Sequence, residues 1–87
     1  MNYPSGWTEN NNILEKVFTF KNFLEAVSFV RKVANISEEK QHHPDIEIYS
    51  YKKVRIKLTT HDEGNKITEK DIFIAERIEK LYSTSDF

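Results

Sequence analysis

Histidine is the side chain best suited to moving protons near neutral pH, because an unperturbed imidazole titrates at about 6.5. This chain has three, His42, His43 and His61, and all fall in one stretch at 38–61, EEKQHHPDIEIYSYKKVRIKLTTH. His42 and His43 are adjacent and precede Pro44, while His61 closes a run in which apolar and charged residues alternate. Three readings suit the pattern. The histidines can act as acid and base. They can ligate a metal with Asp45 or Asp62 completing the set, although no compact metal-ligand motif is present. Or they are ordinary hydrogen-bonded or exposed side chains at strand ends. Other chemistries lack their residues. No serine sits in a nucleophile-elbow context, and Glu63-Gly64-Asn65 is too poor in glycine for a phosphate loop.

The elements around the histidines follow from periodicity. Gly6 to Glu9 suits a short edge strand, and Asn10-Asn11-Asn12 a turn, because Asn tolerates left-handed backbone angles. Ile13 to Phe20 reads as a strand paired with the first, with Leu14, Phe18 and Phe20 on one parity. Asn22 and Glu25 form a helix-start pair. Phe23, Ala26, Val27, Val30, Val33 and Ala34 then recur at helical spacing to an end near Ile36. Ile46 and Ile48, then Val54, Ile56 and Leu58, alternate with polar residues as half-buried strands do. A second helix starts at Thr68–Asp71 and carries Ile72, Ala75, Ile78 and Tyr82, widened by Ile74 and Leu81, with Phe73 off the stripe. The expected fold is α+β: a four-stranded antiparallel sheet with helices packed on one face, in the order strand-strand-helix-strand-strand-helix, within a single domain spanning 1–87.

That order positions the histidines. A tight turn centred near Lys52 sets residue 43 nearly opposite residue 61, so both ends of the quoted stretch meet. Tyr51 and His61 share the parity of the polar residues in their strands and look away from the helices. His42 and His43 cannot both enter one pocket from a regular strand, because neighbours point to opposite faces. The backbone bends there, or one histidine serves the site and the other orients it.

Composition narrows the remaining classes. A formal net charge of −1 gives no bulk basic surface for nucleic acid. The absence of cysteine removes disulfides, thiolate catalysis and thiolate metal sites. The opening MNYPSGWTENNN lacks a charged region followed by an apolar one, and no apolar run suits a membrane span, so a cytoplasmic location is the expectation. An aromatic content of 13% is much surface for so short a chain to hide, which favours self-association.

The chain resembles the pterin-4a-carbinolamine dehydratase family, also known as the dimerisation cofactor of a homeodomain transcription factor. The family pattern is an acidic residue, His-His-Pro after three more, an aromatic, a histidine after nine more, and a later Asp; here these are Glu38, His42-His43-Pro44, Tyr51, His61 and Asp71, at fitting spacings. The opening GWTENNNILEKVFTFKNFLEAVSFVRKVA is similar too, so the likeness runs from about Trp7 to Ile78. Two places depart: Ile46 stands where the family often has Trp, and Gly64-Asn65-Lys66-Ile67-Thr68 where a Gly-Gly-Leu-Thr stretch is common.

The resemblance implies dehydration of 4a-hydroxytetrahydrobiopterin to quinonoid dihydropterin, which recycles the pterin cofactor of aromatic amino acid hydroxylases. It implies no metal and no organic cofactor, and a homodimer or homotetramer. His42, His43 and His61 would line the site, His42 and His61 moving protons and His43 binding or orienting the pterin. Glu38, Pro44, Tyr51, Asp62 and Asp71 would support them. Structural roles stand beside these: Asp71 as a helix cap, Glu38 as a helix end, and Tyr51 and Trp7 as packing. Two other functions stay open on the same resemblance, a non-catalytic dimerisation or coactivator module and another pterin-linked role such as support of molybdopterin enzymes.

Overall fold

In the computed structural model, which describes residues 2–84 and 87, alternation in the sequence becomes two layers. The strands are β1 (Thr8–Asn10), β2 (Ile13–Thr19), β3 (Asp45–Tyr49) and β4 (Lys53–Leu58); the helices are α1 (Phe23–Lys40) and α2 (Glu69–Thr84). The sheet is antiparallel throughout, in the order β1-β2-β4-β3. The expected α+β architecture, strand-strand-helix-strand-strand-helix, is therefore the observed one. No helix among the described residues is long and apolar enough to cross a membrane.

Strand parity decides what meets the helices. Leu14 and Phe18 of β2 and Val54, Ile56 and Leu58 of β4 are buried beneath α1 and α2. The opposite face carries Glu15, Glu47, Arg55 and Lys57, with the Arg55 Nη1 donating to Glu47 Oε1 at 2.6 Å. Phe18, Phe20, Phe29 and Tyr82 interlock as tilted and edge-on rings, the geometry that aromatic quadrupoles favour. Burying a side chain such as Phe29 contributes about 2–3 kcal/mol. Trp7 belongs to this core: it packs edge-on against Phe18, and its Nε1–H donates to Glu79 Oε2 at 3.0 Å.

Three local expectations need correction. Helix α1 does not end near Ile36 but continues to Lys40. Its last turn is polar, so apolar periodicity fades there. Ser37 nonetheless stays buried, its hydroxyl donating to the Val33 carbonyl at 2.8 Å. The core stripe of α1 is also rotated: Ala26, Phe29, Val33 and Ile36 are buried, whereas Phe23, Val27 and Ala34 are exposed. Finally, the β3–β4 turn is centred on Tyr51 rather than Lys52, because Ser50 and Tyr51 both adopt left-handed angles and Tyr49 pairs with Lys53. The register Asp45↔Lys57 then carries position 42, not 43, toward position 60.

Candidate active site

The end of α1 determines how the adjacent histidines diverge. Gln41 takes the left-handed conformation at φ 51°; its N–H donates to the Glu38 carbonyl and the His42 N–H to the Ser37 carbonyl. This is the two-bond closure of a helix C-terminus. It swings His42 and His43 out of the helix before β3 begins at Asp45, so neither obeys strand alternation. His42 turns toward α2, where its Nε2 lies 2.6 Å from Asp71 Oδ1. His43 turns back to the helix it follows and pairs through Nε2 with Glu38 Oε2. Pro44 then feeds the chain into β3.

Asp71 is completely buried in the first turn of α2. Its Oδ2 accepts from the Thr68 backbone N–H at 2.9 Å and from the Thr60 hydroxyl at 2.7 Å. The first bond is the return half of a capping box, and the Thr68 hydroxyl caps the helix by accepting from the Lys70 N–H at 3.3 Å, one residue before the box's usual donor. Capping and contact with a histidine, alternatives in the sequence, are both made by this one carboxylate. No buried side-chain polar atom of the described residues lacks a partner.

The remaining sequence-selected residues lie around this centre or away from it. His61 follows Thr60, opens a short 3-10 turn (His61–Glu63), and is exposed with Nδ1 2.8 Å from Asn65 Oδ1. Asp62 is exposed in the same turn and lies 3.9 Å from the Lys70 ammonium. Tyr51 stands exposed at the tip of the β3–β4 hairpin, the far end of the strands from His42. The structure thus joins His42 to Asp71 and Glu38 to His43, sets His61 one residue from the network through Thr60, and leaves Tyr51 apart. Among the described residues no three His, Cys, Asp or Glu side chains converge as a metal site requires.

A concavity of about 600 Å³ opens beside His42, lined also by Lys40, Gln41, Glu69, Lys70 and Phe73. It is within the range of small-molecule sites. A second hollow of about 310 Å³ shares Glu69 and Lys70 and extends to Glu63 and Thr68, toward the turn that carries His61. Phe73 presents an aromatic face at the first of these, with the Lys40 Nζ 4.7 Å from its ring centre. Thr60, Thr68 and Phe73 belong to the neighbourhood although the histidine spacing does not point to them. Thr60 had a signal: it continues the inward parity of Val54, Ile56 and Leu58, which makes it a polar residue on a buried face. Phe73 had one too, as an apolar residue off the stripe of α2.

Comparison with known proteins accords with this arrangement. The profile of the family described as pterin 4 alpha carbinolamine dehydratase matches residues 1–81. The chain belongs to this family. A Sulfolobus acidocaldarius protein named "Putative pterin-4-alpha-carbinolamine dehydratase" is 50% identical over 76 residues, covering 87% of this chain and 81% of that one. A Sulfurisphaera tokodaii protein of the same name is 46% identical over 81 residues, covering 93% of this chain and 85% of its own. Among solved structures, a transcriptional coactivator/pterin dehydratase from Brucella melitensis superposes with a TM-score of 0.81 at 32% identity, covering 88% of this chain and 82% of that one. A pterin dehydratase-like protein described as a RuBisCO assembly factor in the alpha-carboxysome gives a TM-score of 0.71 at 25% identity, covering 91% and 89%.

Proposed function

We propose that this protein is a hydro-lyase that dehydrates 4a-hydroxytetrahydrobiopterin to quinonoid dihydropterin. The observation that carries the reading is His42, half-buried at the mouth of a concavity and held through Nε2 by the buried Asp71, in a chain of the dehydratase family. In the reaction the C4a–O bond breaks and the hydroxyl leaves as water with a proton from an acid. A base takes the N5 proton, and the freed electron pair forms the N5=C4a double bond. Two groups that exchange protons near neutral pH are required, and no redox partner is. His42 and His61 are assigned the proton transfers, and His43 orients the pterin from its pairing with Glu38. Phe73 offers a flat apolar wall to the bicyclic ring. Self-association as a homodimer or homotetramer belongs to the same reading, and so does a cytoplasmic location.

The test is a rate assay on chemically generated 4a-carbinolamine. Wild type accelerates loss of water, and His42→Ala and His61→Ala each lower the catalysed rate by about 10²–10⁴-fold, the usual worth of a positioned acid or base. If neither substitution slows the reaction, the assignment is wrong. A binding role without turnover is the second reading, favoured by the names of the two structural relatives, one a coactivator and the other an assembly factor. A triple-histidine variant separates the two: under the second reading it keeps the cellular phenotype, and under the first it loses the phenotype together with pterin turnover.

A further inference from the structure

The hydrogen bonds behind His42 all run in one direction. The Lys70 N–H donates to the Thr68 hydroxyl oxygen at 3.3 Å. The Thr60 hydroxyl proton is committed to Asp71 Oδ2 at 2.7 Å, so in the 2.6 Å contact between the two threonines Thr68 donates and Thr60 accepts. The Thr68 backbone N–H adds a second donor to Asp71 Oδ2. Every donor in the chain therefore points at one carboxylate. Its other oxygen, Oδ1, has among the described residues only His42 Nε2 as a partner, at 2.6 Å. Thr60 and Asp71 are wholly buried, so water does not compete for these bonds.

We propose that Thr60 and Thr68 are positioning residues for His42, acting through Asp71: they orient the carboxylate so that His42 is held as the Nε2–H tautomer with Nδ1 left to meet the substrate. A neutral imidazole has one donor and one acceptor nitrogen, and the partner of one decides the role of the other. With Oδ2 filled by two donors, Asp71 presents Oδ1 as an acceptor, and Nε2 supplies the proton. Nδ1 has no hydrogen-bond partner among the described residues, and His42 borders the concavity. The proton-exchanging nitrogen in the proposed dehydration is then Nδ1. Thr60 has this effect because it keeps the inward parity of β4 two residues past the strand's end at Leu58, where it bridges to Lys66, and Thr68 because it is the first residue before α2.

This inference rests on the dehydratase reading only for its turnover arm. The experiment is long-range 1H–15N correlation of the 15N-histidine protein, at a pH where His42 is neutral, beside carbinolamine kinetics. Wild type is expected to place the His42 proton on Nε2. Thr60→Val removes one donor from Oδ2, and the Nε2–H signature becomes averaged or exchange-broadened. In the same variant kcat falls about tenfold with KM nearly unchanged, the scale on which outer hydrogen-bond partners act. Thr60→Ser restores both readouts, and Thr68→Val repeats the spectral change. The proposal is overturned if wild type carries the proton on Nδ1, or if the Thr60→Val and Thr68→Val spectra match wild type. Should Thr60→Val not fold, the wild-type and Thr68→Val spectra still decide. Should wild type turn over no carbinolamine, the dehydratase reading fails while the spectra judge the tautomer separately.

Discussion

At the scale of the residue, the two histidine–carboxylate pairs differ in kind. His43 and Glu38 are both largely exposed, and such pairs contribute little to stability. His42 and Asp71 are enclosed, with the Asp71 side chain fully buried and that of His42 only 13% exposed. Asp71→Asn therefore has a consequence that Glu38→Gln lacks. An amide cannot accept from Thr60, Thr68 and His42 together, because one of its two heads carries donors. Either a buried donor then faces the amide NH2, or His42 moves its proton to Nδ1 and the charge-assisted bonds to the carboxylate are lost, at a cost of about 1–3 kcal/mol. Urea unfolding should show that loss for Asp71→Asn and almost none for Glu38→Gln. Equal stabilities for the two variants would mean that the Asp71 network does not exist in solution. The residue types of this site were legible as chemistry, since histidine and buried carboxylate carry their roles openly. Thr60 and Thr68 were not, because a threonine hydroxyl bonds to anything and only the fold gives it a direction.

At the scale of the element, the informative positions are those where the chain turns with left-handed angles. The strands and both helix starts were legible, because alternation and the Asn22–Glu25 pair are local signals; Asn22 indeed accepts from the Glu25 N–H, and Glu25 from the Lys21 N–H. The turns were harder. Gln41, Ser50 and Tyr51 all take positive φ where glycine or asparagine is the usual marker. The C-terminus of α1 and the β3–β4 register were displaced accordingly. Gly64 obeys the rule instead. Its φ is +76°, an added Cβ would meet nothing within 4 Å, and its N–H donates to the His61 carbonyl to close the turn. Gly64→Ala thus isolates the backbone cost, about 1 kcal/mol for an L side chain in this region. A thermal melt should move down by about 4–8 °C, the usual response of a domain this size to such a change. An unchanged midpoint would mean that the turn relaxes to another conformation, and with it the placement of His61.

At the scale of the whole molecule, the apolar face of α1 is wider than the core it covers. Periodicity joined Phe23, Ala26, Val27, Val30, Val33 and Ala34 into one stripe, and the fold splits that stripe in two. Ala26 and Val33 turn inward with Phe29 and Ile36, while Phe23, Val27 and Ala34 stay on the surface beside Leu24. At 100° per residue Phe23, Leu24 and Val27 fall within one third of the helix circumference. Leu24 is 78% exposed and Phe23 52%, a concentration of apolar surface on one side of one helix that scattered exposed leucines do not produce. A sequence pattern cannot separate a face buried by its own sheet from one left for another chain, because both have the same period. The proposed self-association gives the outer half an occupant, a second copy of the chain. Val27→Glu puts a charge in the middle of that patch and leaves the inward residues untouched. Sedimentation velocity should then find wild type above the 10.3 kDa of one chain and the variant at it, with both keeping the same far-UV circular dichroism. A monomeric wild type, or a variant of unaltered mass, would remove the outer face of α1 as the joining surface.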